Sequence, residues 1–150
     1  MIYYVAYYNP IQEMGKRVAN YAGEDKIDYI CEKLNQIGES VAVLSDTKSI
    51  SKKWARKTVY KEKKEKRIVM FASLPRCNVI LHAVDVLYGY IQLATYILFH
   101  VKKNDTVLVY HSLGYRDVIR KIRFIKPFRY ILEVEELFQF IDHSTSSFKN

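Results

Sequence analysis

Polar side chains follow two apolar, β-favouring runs in the second half of the chain. His111 and Ser112 come directly after the run "TVLVY", and Glu135 and Glu136 come after "RYILEV". In open α/β sheets, ligands bind outside the carboxyl ends of the strands, where a histidine can bond a ligand hydroxyl or transfer a proton. We therefore predict that His111 is catalytic and that the other three residues line a ligand cleft. A histidine satisfied by the backbone, and acids that only charge a helix N-terminus, are the alternative interpretations.

A second set of candidate residues follows the first apolar run, "IYYVAYY", which Asn9 and a proline bring to an end. Gly15 and Lys16 stand in the loop beyond it, where backbone N–H groups and a cation together could hold a phosphate. The loop lacks the P-loop and G-x-G-x-x-G patterns, so an ordinary strand-to-helix loop is the alternative. We predict that Asn9, Gly15 and Lys16 belong to the cleft. No H-E-x-x-H or cysteine-rich signature occurs, and we therefore predict no metal site.

Positive charge is concentrated in one stretch of the chain. The formal net charge is +8, and residues 48–67 hold ten Lys or Arg against only Glu62 and Glu65. A basic surface attracts nucleic acids, anionic membranes or phosphorylated ligands, although a solvated surface that only aids solubility is the alternative. We predict that this stretch forms a membrane- or anion-binding patch. Its predicted members are Lys52, Lys53, Arg56, Lys57, Lys61, Lys63 and Lys64.

These candidates need a scaffold that brings strand ends together. Apolar runs predict strands at residues 2–8, 40–45, 67–75, 105–112 and 128–134, with helices at about 24–37, 79–101 and 113–126. The basic stretch is predicted to be a mobile loop with some helix. Strands and helices otherwise alternate, which predicts one α/β domain over residues 1–150. We expect a Rossmann-like, doubly wound, mostly parallel sheet of about five or more strands.

The predicted helix at residues 79–101 is mostly apolar. A membrane-spanning helix needs about 20 consecutive apolar residues, and several polar ones interrupt this run, among them His82 and Asp85. We therefore predict a helix that is buried on most of its sides, with a membrane span as the alternative. The N-terminus "MIYYVAYYNP" has no basic region and no cleavage site of a signal peptide, so we expect a cytoplasmic protein.

The pattern "NDTVLVYHSLGY", a basic amphipathic helix and then "RYILEVEELF" resembles the N-terminal half of GT-B fold glycosyltransferases. The likeness is strongest to the large retaining family that includes bacterial capsule and cell-wall sugar transferases, and it covers about residues 1–142. Such enzymes have two Rossmann-like domains with the active site between them. The N-terminal domain mainly binds the acceptor, and the C-terminal domain binds the nucleotide-sugar donor. The resemblance implies that this chain is the acceptor-binding half, without the donor-binding domain and without a cofactor of its own.

The resemblance also implies roles for individual residues. By position, His111 would face the acceptor and the donor sugar, and Gly15 would approach the donor phosphates. The family often has two adjacent glycines at that loop, whereas Met14 precedes Gly15 in this chain. Glu135 and Glu136 would correspond to the acidic segment after the last strand. A half-enzyme of this kind is expected to be inactive by itself.

Many such enzymes use glycan or lipid-linked acceptors at the inner face of a membrane. The basic patch, together with Lys66 and the neighbouring Trp54, would then attract an anionic membrane surface, with each cation contributing about 1 kcal/mol. A basic α/β module that binds nucleic acid is the alternative function. It is favoured by the same stretch, in which Trp54 and Tyr60 stand among the cations.

Overall fold

Six strands form one sheet in the computed structural model of the protein, which describes residues 1–18, 21–61, 66–110 and 113–133. The elements in chain order are β1 Ile2–Val5, a short 3-10 helix Ile11–Glu13, α1 Tyr21–Gln36, β2 Val41–Ser45, β3 Thr58–Lys61, β4 Arg67–Met70, α2 Val79–His100, β5 Thr106–Tyr110, α3 Leu113–Ile125 and β6 Arg129–Glu133. Every predicted strand and helix therefore has a counterpart. The first and third strands end earlier than predicted, because the apolar run continues into the loop that follows each of them.

The sheet has the strand order β3-β4-β2-β1-β5-β6. All neighbouring strands are parallel except β3 and β4, which are antiparallel. The five parallel strands thus have the doubly wound order, in which the chain starts in the middle of the sheet and reverses its direction of growth beside β1. Helix α1 packs on one face, and α2 and α3 pack on the other. The predicted Rossmann-like α/β fold is confirmed, and the topological switch point lies between β1 and β5.

The middle of the sheet is apolar on both faces, as a parallel sheet covered by helices requires. All five residues of β2 are buried. Ile27 of α1 packs with Tyr4 on one face, while Leu93 of α2 and Ile119 of α3 belong to the core on the other. Burying each aliphatic side chain contributes about 1.5–3 kcal/mol. This core fixes the positions of the strand ends that carry the candidate site.

Strand β3 corrects the prediction for the basic stretch. The described part of that stretch contains no helix, and Thr58–Lys61 pairs antiparallel with Arg67–Met70. Along β3 half-buried residues alternate with exposed ones, the pattern of a strand at the edge of a sheet. Lysines on an edge strand oppose pairing with other chains. The same lysines give the stretch the composition of a loop, which is why the prediction was wrong.

Helix α2 is much less buried than predicted. Its mean hydropathy is 1.2 over the most apolar 18-residue window, yet only 28% of that window is buried. Asp85, Gly89 and Leu93 face the sheet, whereas Ile80 and Leu87 are exposed. The helix is long and apolar enough to cross a membrane. Hydropathy, however, does not show how many faces of a helix are covered by the rest of the protein. The prediction of a helix buried on most sides was therefore wrong.

A buried arginine joins the loops at the carboxyl edge of the sheet. Arg17 is only 2% exposed and donates from Nη1 to the Thr47 carbonyl oxygen (2.7 Å) and from Nη2 to the Arg56 carbonyl oxygen (3.1 Å). Its Nε also donates to Oε2 of Glu13 at 3.4 Å, and the other carboxylate oxygen of Glu13 accepts from Tyr60 on β3. One guanidinium therefore holds the loop after β1, the loop after β2 and the segment that enters β3.

We expect Arg17→Lys to lower the free energy of unfolding by about 2–3 kcal/mol, because a lysine lacks the planar fork that reaches three separate acceptors. Urea denaturation followed by circular dichroism measures this loss. Lys16→Ala is the matched control, since the Lys16 side chain is 64% exposed and its loss should change stability by less than about 0.5 kcal/mol. Equal losses in the two variants would contradict the clamping role of Arg17.

Candidate functional site

A pocket of about 430 Å³ opens at the carboxyl edge of the sheet. The loops after β1, β2 and β4 and the first turn of α2 all contribute to it, and this is the edge where open α/β sheets bind ligands. The described lining residues include aromatic, hydroxyl and basic side chains but no acid. They are Tyr7, Val18, Thr47, Lys48, Ser49, Arg76 and His82. The pocket is thus suited to a ligand with one flat apolar face and one anionic group.

Lys48 lines the pocket, but its ammonium group is bound by two aspartates. Its Nζ donates to both carboxylate oxygens of Asp46, at 2.7 and 2.8 Å, and to the carbonyl oxygen of Asp85 at 3.0 Å. The carboxylate of Asp85 lies 3.9 Å from the same ammonium. Both aspartates are buried, so two carboxylates share one lysine below the pocket. Lys48 therefore acts as part of the pocket floor, and the exposed cation among the described lining residues is Arg76.

Asp46 connects the floor to both helices of that face. Oδ2 of Asp46 accepts a hydrogen bond of 3.0 Å from the hydroxyl of Tyr115 on α3. Burial raises the pKa of Asp46, although Lys48 and Tyr115 act in the opposite direction. On the other side α2 approaches so closely that a Cβ atom on Gly89 would lie 2.1 Å from Oδ2 of Asp46. The absence of a side chain at Gly89 is what allows α2 to cover this carboxylate.

Asp85 fixes the loop that carries Arg76. Its Oδ1 accepts from the backbone N–H of Leu74 at 2.8 Å, and its Oδ2 accepts from the Ser73 hydroxyl at 2.8 Å. The Ser73 Oγ in turn accepts from the backbone N–H of Ser49, also at 2.8 Å. A single carboxylate on α2 thus ties the loop after β4 to the loop after β2. These are the two loops that form one side of the pocket.

Tyr7 forms the aromatic wall of the pocket. It is 43% exposed, and its ring centroid lies 5.4 Å from that of Tyr115. Burial raises the pKa of Tyr7, and a hydrogen bond with Tyr115 partly opposes this rise. The phenol of Tyr7 therefore stays neutral at physiological pH. Tyr115 packs against its partly exposed ring. Such a ring can pack against a flat apolar surface of a ligand.

Sequence reasoning missed Tyr7, Asp46, Lys48 and Asp85 as parts of one site. The available signal was the sequence "SDTKS", in which an acid, a lysine and hydroxyls directly follow β2. Lys48 was instead assigned to the basic stretch that begins there. Nothing in the spacing of Asp46 and Asp85, which lie 39 positions apart, shows that they share a lysine.

Of the cleft residues predicted after β1, Asn9 is the most informative. It is buried at 4% exposure, and neither Nδ2 nor Oδ1 has a hydrogen-bond partner among the described residues. A buried amide without partners costs about 1–3 kcal/mol, and both polar atoms of this side chain, which follows β1, are inaccessible to solvent. Gly15 has a left-handed φ of 74°, whereas Lys16 is exposed and donates to the Gln12 carbonyl oxygen at 2.8 Å. None of these three residues is among the described residues that line the pocket.

The other predicted cleft residues, His111, Ser112, Glu135 and Glu136, lie outside the described residues. Within the described part of β6, the acid of the quoted motif is Glu133. Its two carboxylate oxygens bond the hydroxyl of Tyr4 and Nζ of Lys26, each at 2.8 Å. This carboxylate therefore joins β6 to β1 and α1.

The five described members of the predicted basic patch are all exposed. They are Lys52, Lys53, Arg56, Lys57 and Lys61, whereas Lys63 and Lys64 lie outside the described residues. Nζ of Lys57 lies 5.3 Å from the ring centroid of Tyr96 on α2. Lys66 was expected to contribute to the patch, but it is buried and bonds Asp28 and the hydroxyl of Tyr8. The expectation for Lys66 was therefore wrong.

The chain matches no protein-family model, and no curated protein or solved structure is significantly similar to it. The function is therefore argued from the pocket and its neighbours.

Gly89→Ala should lower the free energy of unfolding by about 2–4 kcal/mol, because the short Asp46 carboxylate is bound on both sides and has little room to move. This loss should exceed the gain of about 1 kcal/mol in helix propensity. Urea denaturation gives the difference. Gly114→Ala is the control, since its Cβ would meet only the far end of the Tyr90 side chain, which is long and only partly buried. A larger loss in the control would refute the close approach of α2 to Asp46.

Proposed function

We propose that the protein is the acceptor-binding half of a glycosyltransferase, which transfers a sugar from a nucleotide-sugar to a glycan or lipid-linked acceptor. The observation that carries this proposal is the pocket at the carboxyl edge, with Tyr7 on one side and Arg76 on another. The proposal also agrees with the resemblance of "NDTVLVYHSLGY" and "RYILEVEELF" to such enzymes and with the doubly wound strand order.

The lining residues suit a sugar that carries a phosphate. The apolar face of a pyranose ring can pack against an aromatic ring, which Tyr7 offers at 43% exposure. The guanidinium of Arg76 can bond two phosphate oxygens at once, and the imidazole of His82 adds a further polar group on α2. In this proposal the acceptor is therefore a glycan or lipid-linked sugar with an anionic group near its reacting end.

The donor nucleotide is assigned to a second domain. The loop after β1 has one glycine in a left-handed conformation, and the ammonium of the adjacent Lys16 already bonds the Gln12 carbonyl oxygen. A diphosphate is usually held by several backbone N–H groups and a cation at such a loop. Because this loop offers one such glycine and a lysine that is already bonded, we assign the diphosphate to the donor-binding domain. That domain would face the same edge of the sheet. The chain alone should then release no nucleotide from a nucleotide-sugar.

The nucleic-acid alternative has less support from the described residues. Tyr60 donates its hydroxyl to Glu13, and Lys57 lies over the Tyr96 ring, so both already have partners within the protein. Trp54 remains 60% exposed next to Lys53. This leaves a small aromatic and basic surface that a single strand could use.

The ligand prediction is tested with N-acetylglucosamine 1-phosphate as the probe, in isothermal titration calorimetry at physiological salt. We expect saturable binding that Arg76→Ala weakens about tenfold, because a charge-assisted hydrogen bond contributes about 1.5–3 kcal/mol. Lys103→Ala is the matched control, because Lys103 follows α2 at the opposite edge of the sheet and is exposed. The Lys103→Ala variant should bind the sugar phosphate with the same affinity as the unchanged protein.

Three results would contradict the proposal. Tighter binding of uridine diphosphate than of the sugar phosphate would make this the nucleotide-binding half. Turnover of a nucleotide-sugar by the chain alone would exclude a half-enzyme. Binding of single-stranded DNA with a steep salt dependence, combined with no response to the sugar phosphate, would favour the nucleic-acid function.

A further inference from the structure

An apolar ridge runs along the outer side of α2. Ile80, Val84, Leu87 and Ile91 are 77%, 48%, 59% and 54% exposed and follow one another at intervals of four, three and four residues. This spacing places them on one helix face. That face is opposite to the one through which Leu93 and its neighbours pack on the sheet. A continuous apolar ridge of this kind on a protein surface indicates an interaction site.

Exposed cations lie on α3, the helix next to α2. Arg120, Lys121 and Arg123 are exposed on α3, which packs beside α2 on the same face of the sheet. The two helices are close at their C-terminal ends, where Nζ of Lys126 donates to the carbonyl oxygen of Leu98. Long basic side chains at this position can extend their charged ends past an apolar surface.

Cations also lie at β3, on the same face of the sheet as α2. Lys57 lies over the ring of Tyr96, which belongs to α2. Lys61 is exposed and lies two residues after Val59, so alternation places both on one face of β3. Val59 pairs in register with Val69, whose side chain belongs to the core beneath α2 and α3. Cations therefore lie on both sides of α2, with Lys57 against the sheet-facing side of the helix.

A second cavity lies within this surface. It has a volume of about 280 Å³, and its described lining consists of Arg120, Arg123 and Phe124. Phe124 is 89% exposed. Two guanidinium groups beside an exposed aromatic ring provide both a phosphate-binding group and an apolar group at one place.

Negative charge on this surface is already neutralised. Asp117 is an exposed acid of α3, and its Oδ1 lies 2.9 Å from Nε of Arg116. The acid of α2 is Asp85, which is buried and points toward the loops of the pocket. The exposed outer faces of the two helices are thus apolar and positive.

We propose that the outer faces of α2 and α3 form a docking surface for an anionic lipid bilayer. Helix α2 would lie in the plane of the interface with its ridge among the lipid chains, and the neighbouring cations would meet lipid phosphates. Arg120 and Arg123 would hold one lipid headgroup in the second cavity. This location differs from the one expected from sequence, since the members of the predicted basic patch placed on this face of the sheet are Lys57 and Lys61, at the β3 edge. The proposal rests on residues outside the pocket and stands independently of the proposed function.

A second copy of the chain fits this surface less well. Symmetric association through the ridge would bring the cations of the two copies close to one another, and like charges in contact oppose binding. An anionic bilayer instead offers lipid chains to the apolar ridge and phosphates to the neighbouring cations. Charge complementarity therefore favours lipid.

The test is flotation of the full chain with vesicles of phosphatidylcholine alone or mixed with phosphatidylglycerol. We expect binding to the mixed vesicles and little to the neutral ones. Leu87→Gln/Ile91→Gln should abolish binding, and Arg120→Gln/Arg123→Gln should weaken it at least tenfold, since each cation contributes about fivefold. All four side chains are exposed, so circular dichroism should show an unchanged fold. Lys52→Gln/Lys53→Gln removes the same charge from the basic stretch and should leave binding within about twofold.

The opposite pattern would overturn the proposal. If the Lys52/Lys53 variant lost binding and the ridge variant kept it, the basic stretch would be the membrane contact. A dimer in analytical ultracentrifugation that dissociates in the Leu87→Gln/Ile91→Gln variant would identify a second copy as the occupant. Equal binding to neutral vesicles would exclude recognition of lipid charge.

Discussion

The candidate site depends on two buried aspartates that share one lysine. Lys48 bonds the Asp46 carboxylate and the Asp85 carbonyl oxygen, and Asp85 in turn bonds the loop after β4. Buried charges are tolerated only when they are paired and hydrogen-bonded, and removal of one partner from such a group costs about 3–5 kcal/mol. The loops after β2 and β4 and the first half of α2 must therefore keep their relative positions. The pocket is the space that this arrangement leaves at the edge of the sheet.

The parts of the fold that sequence predicts are those in which composition and burial agree. The central strands are fully buried and read as continuous apolar runs, and α1 has an apolar face with a glycine just past its end. Strand β3 could not be found this way, because an edge strand carries the charges of a loop. The exposure of α2 could not be found either, because hydropathy measures how apolar a helix is and not which partner covers it. Large apolar side chains occur both on its outer ridge and on its inner face.

The edge of the sheet at which the pocket opens was predictable, but none of the described lining residues was among the predicted site residues. The rule that ligands bind at carboxyl ends of strands leads to the edge where the pocket opens. Asn9 is buried without partners among the described residues, but it does not line the pocket. Arg76 directly follows the predicted strand at residues 67–75 but was not among the predicted site residues. Tyr7 was hidden inside an apolar run, where an aromatic residue normally indicates core. The bond between Lys48 and Asp85 joins residues 37 positions apart, and local sequence patterns do not contain such long-range contacts.

The contacts of Arg17 have a consequence for the thermodynamics of recognition. Because this side chain holds three segments through two carbonyl groups and a carboxylate, these segments lose their freedom when the chain folds. A ligand that later enters the pocket meets walls whose shape is already fixed. Its binding entropy then includes little loop ordering, and more of the contact energy appears as affinity. In this respect the pocket is a rigid receptor rather than one that is shaped by its ligand.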